Sequence, residues 1–196
     1  TGATGHTGAT GHTGARGVTG VGLAAGSGLA TVGGGAQTPT NSFVSEQASS
    51  AGWHTIAICP GTGSSGADSR GTAKFGVRVP ATDQKGNQSV VFYATHLKGT
   101  DATNVINVIH SVKESTVKGE IAVTNLRIKE GGVGDGAALQ VYVNRTDVTV
   151  HAYILGDNIQ HNGWTIKDFI EDATDPGALA SYNGMTEKCS VDLVSL

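Results

Sequence analysis

Two short glycine-rich segments of this 196-residue chain approach the patterns of a nucleophile site and a phosphate site. Within residues 61–66 the spacing GxSxG of a nucleophile elbow fails, because Thr62 stands where the first glycine is needed. Residues 131–136 follow GxGxG instead of GxGxxG, and an alternating strand pattern follows them where a phosphate cradle needs a helix N-terminus. Both segments therefore predict loops or turns.

Acidic and histidine side chains are the remaining candidates, as metal ligands. Glu171, Asp172 and Asp175 would offer oxygen ligands to a cation such as calcium, but their spacing matches no EF-hand loop, and a solvated acidic loop is favoured. The histidines that follow residue 50 are His54, His96, His110, His151 and His161. They form no HxxxH or HxH pair, so zinc would require their convergence in the fold. We expect no metal, no cofactor and no catalytic residue, and hence a protein that is not an enzyme.

The two cysteines indicate little about function. Cys59 and Cys189 lie 130 positions apart and form no CxxC or other metal-ligand spacing. Each lies in or beside a predicted strand near one end of the folded part, so pairing of those strands would bring them together. A disulfide and two buried thiols both remain open, and two thiols are favoured.

Charge and hydropathy exclude two further classes of function. The chain carries 13 Lys and Arg against 16 Asp and Glu, a net charge of −3, and has no basic block of the kind that follows a phosphate backbone. It contains no apolar run near the roughly 18 to 20 residues that span a bilayer. We therefore expect neither nucleic-acid binding nor membrane insertion.

Glycine recurs at every third position at the start of the chain. The positions in register are Gly2, Gly5, Gly8, Gly11, Gly14, Gly17 and Gly20. In a collagen triple helix three polyproline II chains wind together, and every third residue of each meets an axis with room only for glycine. A flexible linker needs glycine content but no fixed phase. These glycines are therefore predicted to line the axis of a triple helix of three chains.

This repeat departs from ordinary collagen because it contains no proline, which would favour the extended backbone. We expect it to be marginal alone and to be held in register by its neighbouring domain. His6 and His12 would form two rings of three imidazoles in a trimer, as solvated side chains in preference to a metal site. Because Thr1 falls inside the repeat, we expect a fragment that lacks its natural N-terminal part.

The rest of the chain divides into a connector and a folded head. Residues 22–50 are mostly small and almost uncharged, which is typical of a connector between the collagen-like repeat of residues 1–21 and the next domain. Residues 51–196 contain short runs of Val, Ile, Thr and aromatic residues separated by Gly, Asn, Asp and Pro, which predicts antiparallel strands. About nine such runs favour a β-sandwich or a jelly roll.

Alternation predicts which side chains of the head point inward. Phe75, Val77 and Val79 share one face of their run, with Lys74 and Arg78 on the other. The apolar residues of 105–112 fit a helix as well as a strand, and their β-branched content favours a strand.

A collagen-like stalk before an all-β head resembles trimeric stalk-and-knob proteins, which include complement-type and tumour-necrosis-factor-like heads and viral fibres. The threonine-rich, proline-free run TGATGHTGATGHTGARGVTG is similar to the collagen-like segment of the vertex spike proteins of tectiviruses, the membrane-containing icosahedral phages. The resemblance implies a homotrimer with a jelly-roll head like tumour necrosis factor, located on the virion at the capsid vertices beside a penton protein and a receptor-binding protein. It carries over no site residue beyond the glycines.

Two functions stay open from the sequence. The first is a structural spike of a capsid vertex that takes part in vertex assembly and in attachment to the host surface. The second is a non-viral, collagen-stalked recognition module whose trimeric head binds a receptor or carbohydrate. A stalked hydrolase would need a convergent nucleophile or carboxylate pair, for which no motif is present.

Overall fold

The computed structural model describes residues 43–61, 70–80, 87–97, 103–114, 121–131, 136–146, 148–161, 163–172 and 182–196. These residues form ten strands and a 3-10 helix at Tyr182–Gly184. The strands are β1 Phe43–Gln47, β2 Gly52–Pro60, β3 Arg70–Val79, β4 Gln88–Leu97, β5 Thr103–Lys113, β6 Val123–Glu130, β7 Gly136–Val143, β8 Thr149–His161, β9 Thr165–Glu171 and β10 Thr186–Asp192. Among the described residues no helix is long and apolar enough to cross a membrane.

The strands form two antiparallel sheets of five strands each. The first sheet has the order β1-β8-β3-β4-β5, and the second has the order β10-β6-β7-β2-β9. The predicted all-β class is confirmed. Strands β3, β4 and β5 are consecutive neighbours in the first sheet, and β8 returns beside β3 after β6 and β7 of the second sheet. The sheet orders leave the predicted jelly-roll arrangement unconfirmed.

The predicted strand pattern of the head agrees with the structure. Nine strands, β2 to β10, lie after residue 51. Residues 105–112 lie within β5, so the strand alternative is confirmed there. Its β-branched side chains fit the pleated surface of a sheet better than they fit a helix.

The folded part begins earlier than residue 51. Strand β1 pairs with β8 from Phe43 opposite Tyr153 to Gln47 opposite Thr149. The end of the segment that we predicted as a connector is therefore an edge strand of the first sheet. Phe43 and Val44 are apolar and could be expected to lie along the head, but five residues among small and polar neighbours are too few to predict a strand. The rest of that segment, 22–42, lies outside the described residues, as does the collagen-like repeat.

The core lies between the two sheets and contains the side chains that alternation turned inward. Phe75, Val77 and Val79 of β3 are buried, and Arg78 between them is exposed. Trp164, just before β9, is the largest fully buried side chain, and its indole N–H donates to the carbonyls of Gly71 at 3.0 Å and Ala94 at 3.1 Å. A buried indole needs such acceptors, so Trp164 fixes the start of the second sheet's β9 against β3 and β4 of the first.

Candidate binding surfaces

Five polar side chains meet on the outer face of the second sheet. Arg127 and Lys129 come from β6, Gln140 comes from β7, Asp172 follows β9 directly, and Tyr182 begins the 3-10 helix. Alternation along β6 and β7 turns the first three away from the core. The name "Asp172 cluster" is used below for these five residues.

Asp172 is the common acceptor of the cluster. Its Oδ1 accepts from Lys129 Nζ at 2.7 Å, from Gln140 Nε2 at 2.8 Å and from the Tyr182 hydroxyl at 3.0 Å. Its Oδ2 accepts from Arg127 Nη2 at 3.0 Å. The backbone N–H of Asp172 donates to the carbonyl of Trp53 at 2.9 Å, which fixes the carboxylate beside β2. Four donors on one carboxylate make a charge-assisted network that is rigid in its geometry.

The Asp172 carboxylate and the Tyr182 phenol keep their ionisation states near neutral pH. Burial acts to raise the pKa of Asp172, but hydrogen bonds from Lys129 and Gln140 and the charge of Lys129 outweigh it and lower that pKa to about 2. Burial, together with the Asp172 charge, raises the pKa of Tyr182 to about 12. The cluster therefore offers a fixed anion and a fixed hydroxyl, neither of them poised for proton transfer at neutral pH.

Aromatic side chains extend the Asp172 cluster along the sheet. The Arg127 guanidinium lies 4.0 Å from the centroid of the Trp53 ring, and Trp53 meets Tyr142 edge-on at 5.3 Å. Arg127 also donates from Nε to Gln140 at 2.7 Å and lies 3.5 Å from the exposed Glu187 carboxylate. Trp53 and Tyr142 are half-buried. Together they present rigid apolar surface beside fixed charges, the combination that recurs in ligand-binding and protein-binding sites.

Gln140 belongs to a set of functional side chains that sequence reasoning missed. Alternation correctly turned it away from the core, but it is completely buried. Its amide donates to the hydroxyl of Thr55 at 3.0 Å and to that of Tyr182, the first residue of the 3-10 helix, at 2.8 Å. A polar residue in an alternating strand indicates a solvent face by default. The helix that covers this one lies more than 40 positions later in the chain, and no local pattern indicates that coverage.

The acidic residues proposed for calcium separate into different hydrogen-bond sets. Glu171 accepts from the hydroxyls of Ser49 at 2.7 Å and Ser50 at 2.8 Å, and these hydrogen bonds lower its pKa. Asp172 belongs to the cluster described above, and Asp175 lies outside the described residues. Within the described ranges no group of three His, Cys, Asp or Glu side chains is arranged to hold a metal ion.

The described histidines lie in separate places. His54 is buried and stacks on Phe169 at 4.5 Å, and burial lowers the pKa of its imidazole. His96 is buried in the core, where its Nδ1 donates to Asn104 Oδ1 at 2.8 Å, and the Asn104 amide donates in turn to Glu130. The remaining three are His110 on β5 and His151 and His161 on β8.

Phe169 has a left-handed backbone, with φ at +49°, which is unusual for a bulky residue. It occurs where the pairing of β2 with β9 is irregular, between Thr55 and Ala57. The stack on His54 therefore accompanies a local departure from regular strand geometry.

The cysteines are not joined by a disulfide. Cys59 is buried in the core, and Cys189 is half-buried on β10, where burial raises the pKa of its thiol. The favoured interpretation of two thiols is confirmed, with Cys189 the less buried of the two.

The outer face of β4 and β5 in the first sheet contrasts with the Asp172 cluster. Alternation turns ten side chains outward, and Ile109, the extra residue of a bulge in β5, is exposed on the same face. We call these eleven residues the β4–β5 face: Ser89, Val91, Tyr93, Thr95 and Leu97 on β4, and Thr103, Val105, Asn107, Ile109, His110 and Val112 on β5. None is Asp, Glu, Lys or Arg. Val105, Ile109 and Val112 are 44%, 51% and 42% exposed.

The seven glycines of the predicted triple-helix axis lie outside the described residues, so their role stays a prediction. Of the two glycine-rich segments, residues 62–66 also lie outside. The second segment connects β6 to β7, with Glu130 opposite Ala137, and Gly131 N–H donates to the carbonyl of Gly136 at 3.4 Å. Gly136 has φ at +82°, and a Cβ there would collide with the Cys59 carbonyl. The turn interpretation is confirmed at these ends.

Comparison with known proteins gives little. No known protein family and no curated protein matches the chain. Among solved structures, it is similar to the tailspike protein of Acinetobacter phage vB_ApiP_P1, with 12% sequence identity and a TM-score of 0.34 over 71% of this chain and 24% of the tailspike chain. At that score the similarity carries no argument about fold or function. The strand order of its own two sheets therefore defines the fold of this chain.

Proposed function

We propose that this protein is a homotrimeric spike of a virion surface, in which a collagen-like stalk projects a β head. The observation that carries the proposal is the register of seven glycines ahead of a β-sandwich that has a hydrophobic core of its own. A strict period of three in glycine calls for three chains, and three chains that share one rod bring three identical heads together. The resemblance of the repeat to the vertex spikes of tectiviruses favours a position at the capsid vertices.

The proposed role is structural and adhesive. Three identical heads give multivalent attachment even where each single contact is weak. The partners would be the other two copies of the chain, the neighbouring vertex proteins (a penton protein and a receptor-binding protein) and the host surface. A tumour-necrosis-factor-like jelly roll stays the proposed head type. The spike would have no enzyme activity and no cofactor. In keeping with this, Asp172 stays ionised and Tyr182 stays protonated at neutral pH.

Trypsin offers a direct test of the stalk. Arg16 is the only Lys or Arg before Arg70, and it lies within the repeat. A triple helix keeps the backbone from a protease site, so trypsin should cut slowly after Arg16 in the full chain at a temperature where the head is folded. The variant Gly11→Val places a side chain at the crowded axis and should be cut quickly. Ala9→Val, at a non-axial position of the same repeat, is the matched control and should resist as the parent does.

Two results would contradict the proposal. The first is cleavage of the parent chain after Arg16 at the rate of an unfolded peptide with the same sequence. The second is equal resistance of Gly11→Val and the parent, since a linker has no axis to disturb. Electron microscopy supplies a second measurement: about 20 residues at about 3.1 Å each predict a rod roughly 60 Å long on each trimer.

A second candidate, a non-viral recognition module with the same architecture, is favoured by one observation. Trp53 and Tyr142 are half-buried beside Arg127 on the second sheet, a pattern suited to a carbohydrate or a receptor surface. A panel of surface polysaccharides tests it: the module requires binding by the full chain that Trp53→Ala abolishes and Tyr93→Ala leaves intact, a result that the spike would also allow. Absence of binding would leave the spike as the better account.

A further inference from the structure

Exposed apolar side chains concentrate on one strand of the sandwich. Among the described residues, five large hydrophobic side chains are well exposed, and three of them, Val105, Ile109 and Val112, belong to β5. The other two are Leu155 on β8 and Leu196 at the end of the sequence. Single exposed hydrophobic residues are common, but several on one face of one strand mark an interaction site or an aggregation hazard.

The strand that carries them is an edge. β5 is 11 residues long and pairs only with β4 in the first sheet. Long edge strands invite pairing with other chains, and proteins that stay monomeric usually protect them with charged residues or proline. From Thr103 to Val112, β5 has neither. Lys113 ends the strand, but its Nζ donates to the carbonyls of Leu193 at 3.2 Å and Val194 at 2.8 Å, toward the C-terminal segment.

The neighbouring strand, β4, also presents uncharged and partly apolar side chains on this face. On β4 the outward residues include Val91 and Tyr93, opposite His110 and Asn107 of β5. The register shifts between Val91 and Phe92, which leaves Ile109 as the extra residue of a β-bulge, and Ile109 is the most exposed of the three hydrophobic residues. Depletion of charge with retention of aromatic and aliphatic surface is typical of the centre of a protein interface.

The repeat indicates which molecule covers this surface. The glycine period calls for two further copies of this same chain. The described part begins at Phe43 on β1, which is the edge of the first sheet opposite β5. Segment 22–42 has 21 residues, and a random-coil chain of that length would have an end-to-end distance of roughly 25 Å. Heads held within such a distance of one rod would meet at an effective concentration on the order of millimolar. A second copy is therefore the occupant most readily available to the face.

We infer that the β4–β5 face is the surface through which the three heads pack against one another. The inference depends on the proposed function for the number of copies, and adds the residues that make the contact. Three like faces around one axis form a closed assembly, in which the exposed apolar side chains of β5 are buried. The Asp172 cluster, on the opposite sheet, then faces outward from the trimer.

Alkylation of a single introduced thiol tests the inference in the full chain. Ile109→Cys places a thiol at the centre of the β4–β5 face, and Leu155→Cys places one at a similarly exposed site, 46% exposed, on another strand of the same sheet. Mass spectrometry separates these thiols from Cys59 and Cys189. With the heads packed, Cys at 109 should react with iodoacetamide at least about tenfold more slowly than Cys at 155, because a contact occupied nine-tenths of the time exposes the thiol for one-tenth of it.

Light scattering on the same samples separates the possible failures. A trimer in which both thiols react at the same rate would overturn the assigned surface and leave the proposed spike intact. A monomer in which both react equally fast would overturn the surface and the spike together. A trimer with a protected thiol at 109 and a reactive thiol at 155 would support both.

A triple substitution provides a second test without a new thiol. Val105→Thr, Ile109→Thr and Val112→Thr together keep β-branched side chains while they remove apolar surface. In a chain that carries Gly11→Val to weaken the rod, this set should raise the concentration at which trimers dissociate by at least about tenfold. Leu155→Thr in the same background is the control and should leave that concentration unchanged. An unchanged midpoint with all three substitutions would contradict the inference.

Discussion

The outer faces of the two sheets are built in opposite ways. On the second sheet, Asp172 gathers four hydrogen-bond donors, and Gln140 beneath them is fully buried although it points away from the core. On the first sheet, the β4–β5 face carries no formal charge and leaves Val105, Ile109 and Val112 open. One face satisfies its polar groups within the chain. The other leaves apolar side chains exposed.

This difference separates folding from assembly. A satisfied polar network stabilises and orders the chain that contains it, and breaking it leaves charges without partners. An exposed apolar face adds nothing to the stability of an isolated head, but contributes when another surface removes it from water. Changes to the second sheet should therefore alter the unfolding of the head, whereas changes to the β4–β5 face should alter only its association.

Loss of the central carboxylate should have the largest effect on unfolding. Asp172→Ala leaves Arg127 and Lys129, with side chains only 12% and 13% exposed, without their shared acceptor. We expect the free energy of unfolding to fall by about 2–3 kcal/mol, measured in urea at a fixed chain concentration. The control Glu187→Ala, an exposed partner of the same arginine, should change it by less than about 0.5 kcal/mol. Equal effects from the two would show that the network is not a structural unit.

Removal of one hydroxyl should cost less. The Tyr182 hydroxyl connects two other residues of the network, since it donates to Asp172 and accepts from Gln140. Tyr182→Phe keeps the buried ring and should lower the free energy of unfolding by about 1–1.5 kcal/mol. A loss smaller than about 0.5 kcal/mol would show that this hydroxyl contributes nothing to the network.

Lowering the pH should destabilise the second sheet through protonation of Asp172. Its pKa is about 2 in the folded protein against 3.8 ordinarily, so its stabilising contribution is complete above pH 3.8 and is lost as the pH falls toward 2. The variant Asp172→Asn should show a flatter fall in stability over that interval, by about 1 kcal/mol once partial exposure is allowed for. Parallel pH profiles for the parent and the variant would mean that this carboxylate is not held in its ionised form.

The smallest effect on unfolding should come from the β4–β5 face. Under conditions where the head is monomeric, Val105→Thr, Ile109→Thr and Val112→Thr together should change the free energy of unfolding by less than about 0.5 kcal/mol, because these side chains are already exposed. Circular dichroism during urea titration measures this directly. A loss above 1 kcal/mol would mean that the face supports the fold itself, and would weaken its assignment to assembly.

Local patterns predicted the strands of this protein better than they predicted its sites. Alternation indicated the inward residues of β3, and β-branched content decided β5, because both depend on near neighbours in sequence. The Asp172 cluster joins residues from 127 to 182 across two strands and a helix, so no single window contains it. The order of the sheets depends equally on distant pairings, such as β1 with β8, which no pattern within residues 22–50 indicates.

The molar mass of the full chain in solution tests the central claim most directly. Light scattering at neutral pH should give three times the 19.8 kDa of one chain for the full sequence. A version that starts at Ala36 and keeps β1 should likewise give three times the smaller mass of its own chain. The second trimer would show that the heads associate without the repeat, as the open β4–β5 face predicts. A mass of one chain for both would contradict the account, and would leave a flexible glycine-rich segment before a single β-sandwich.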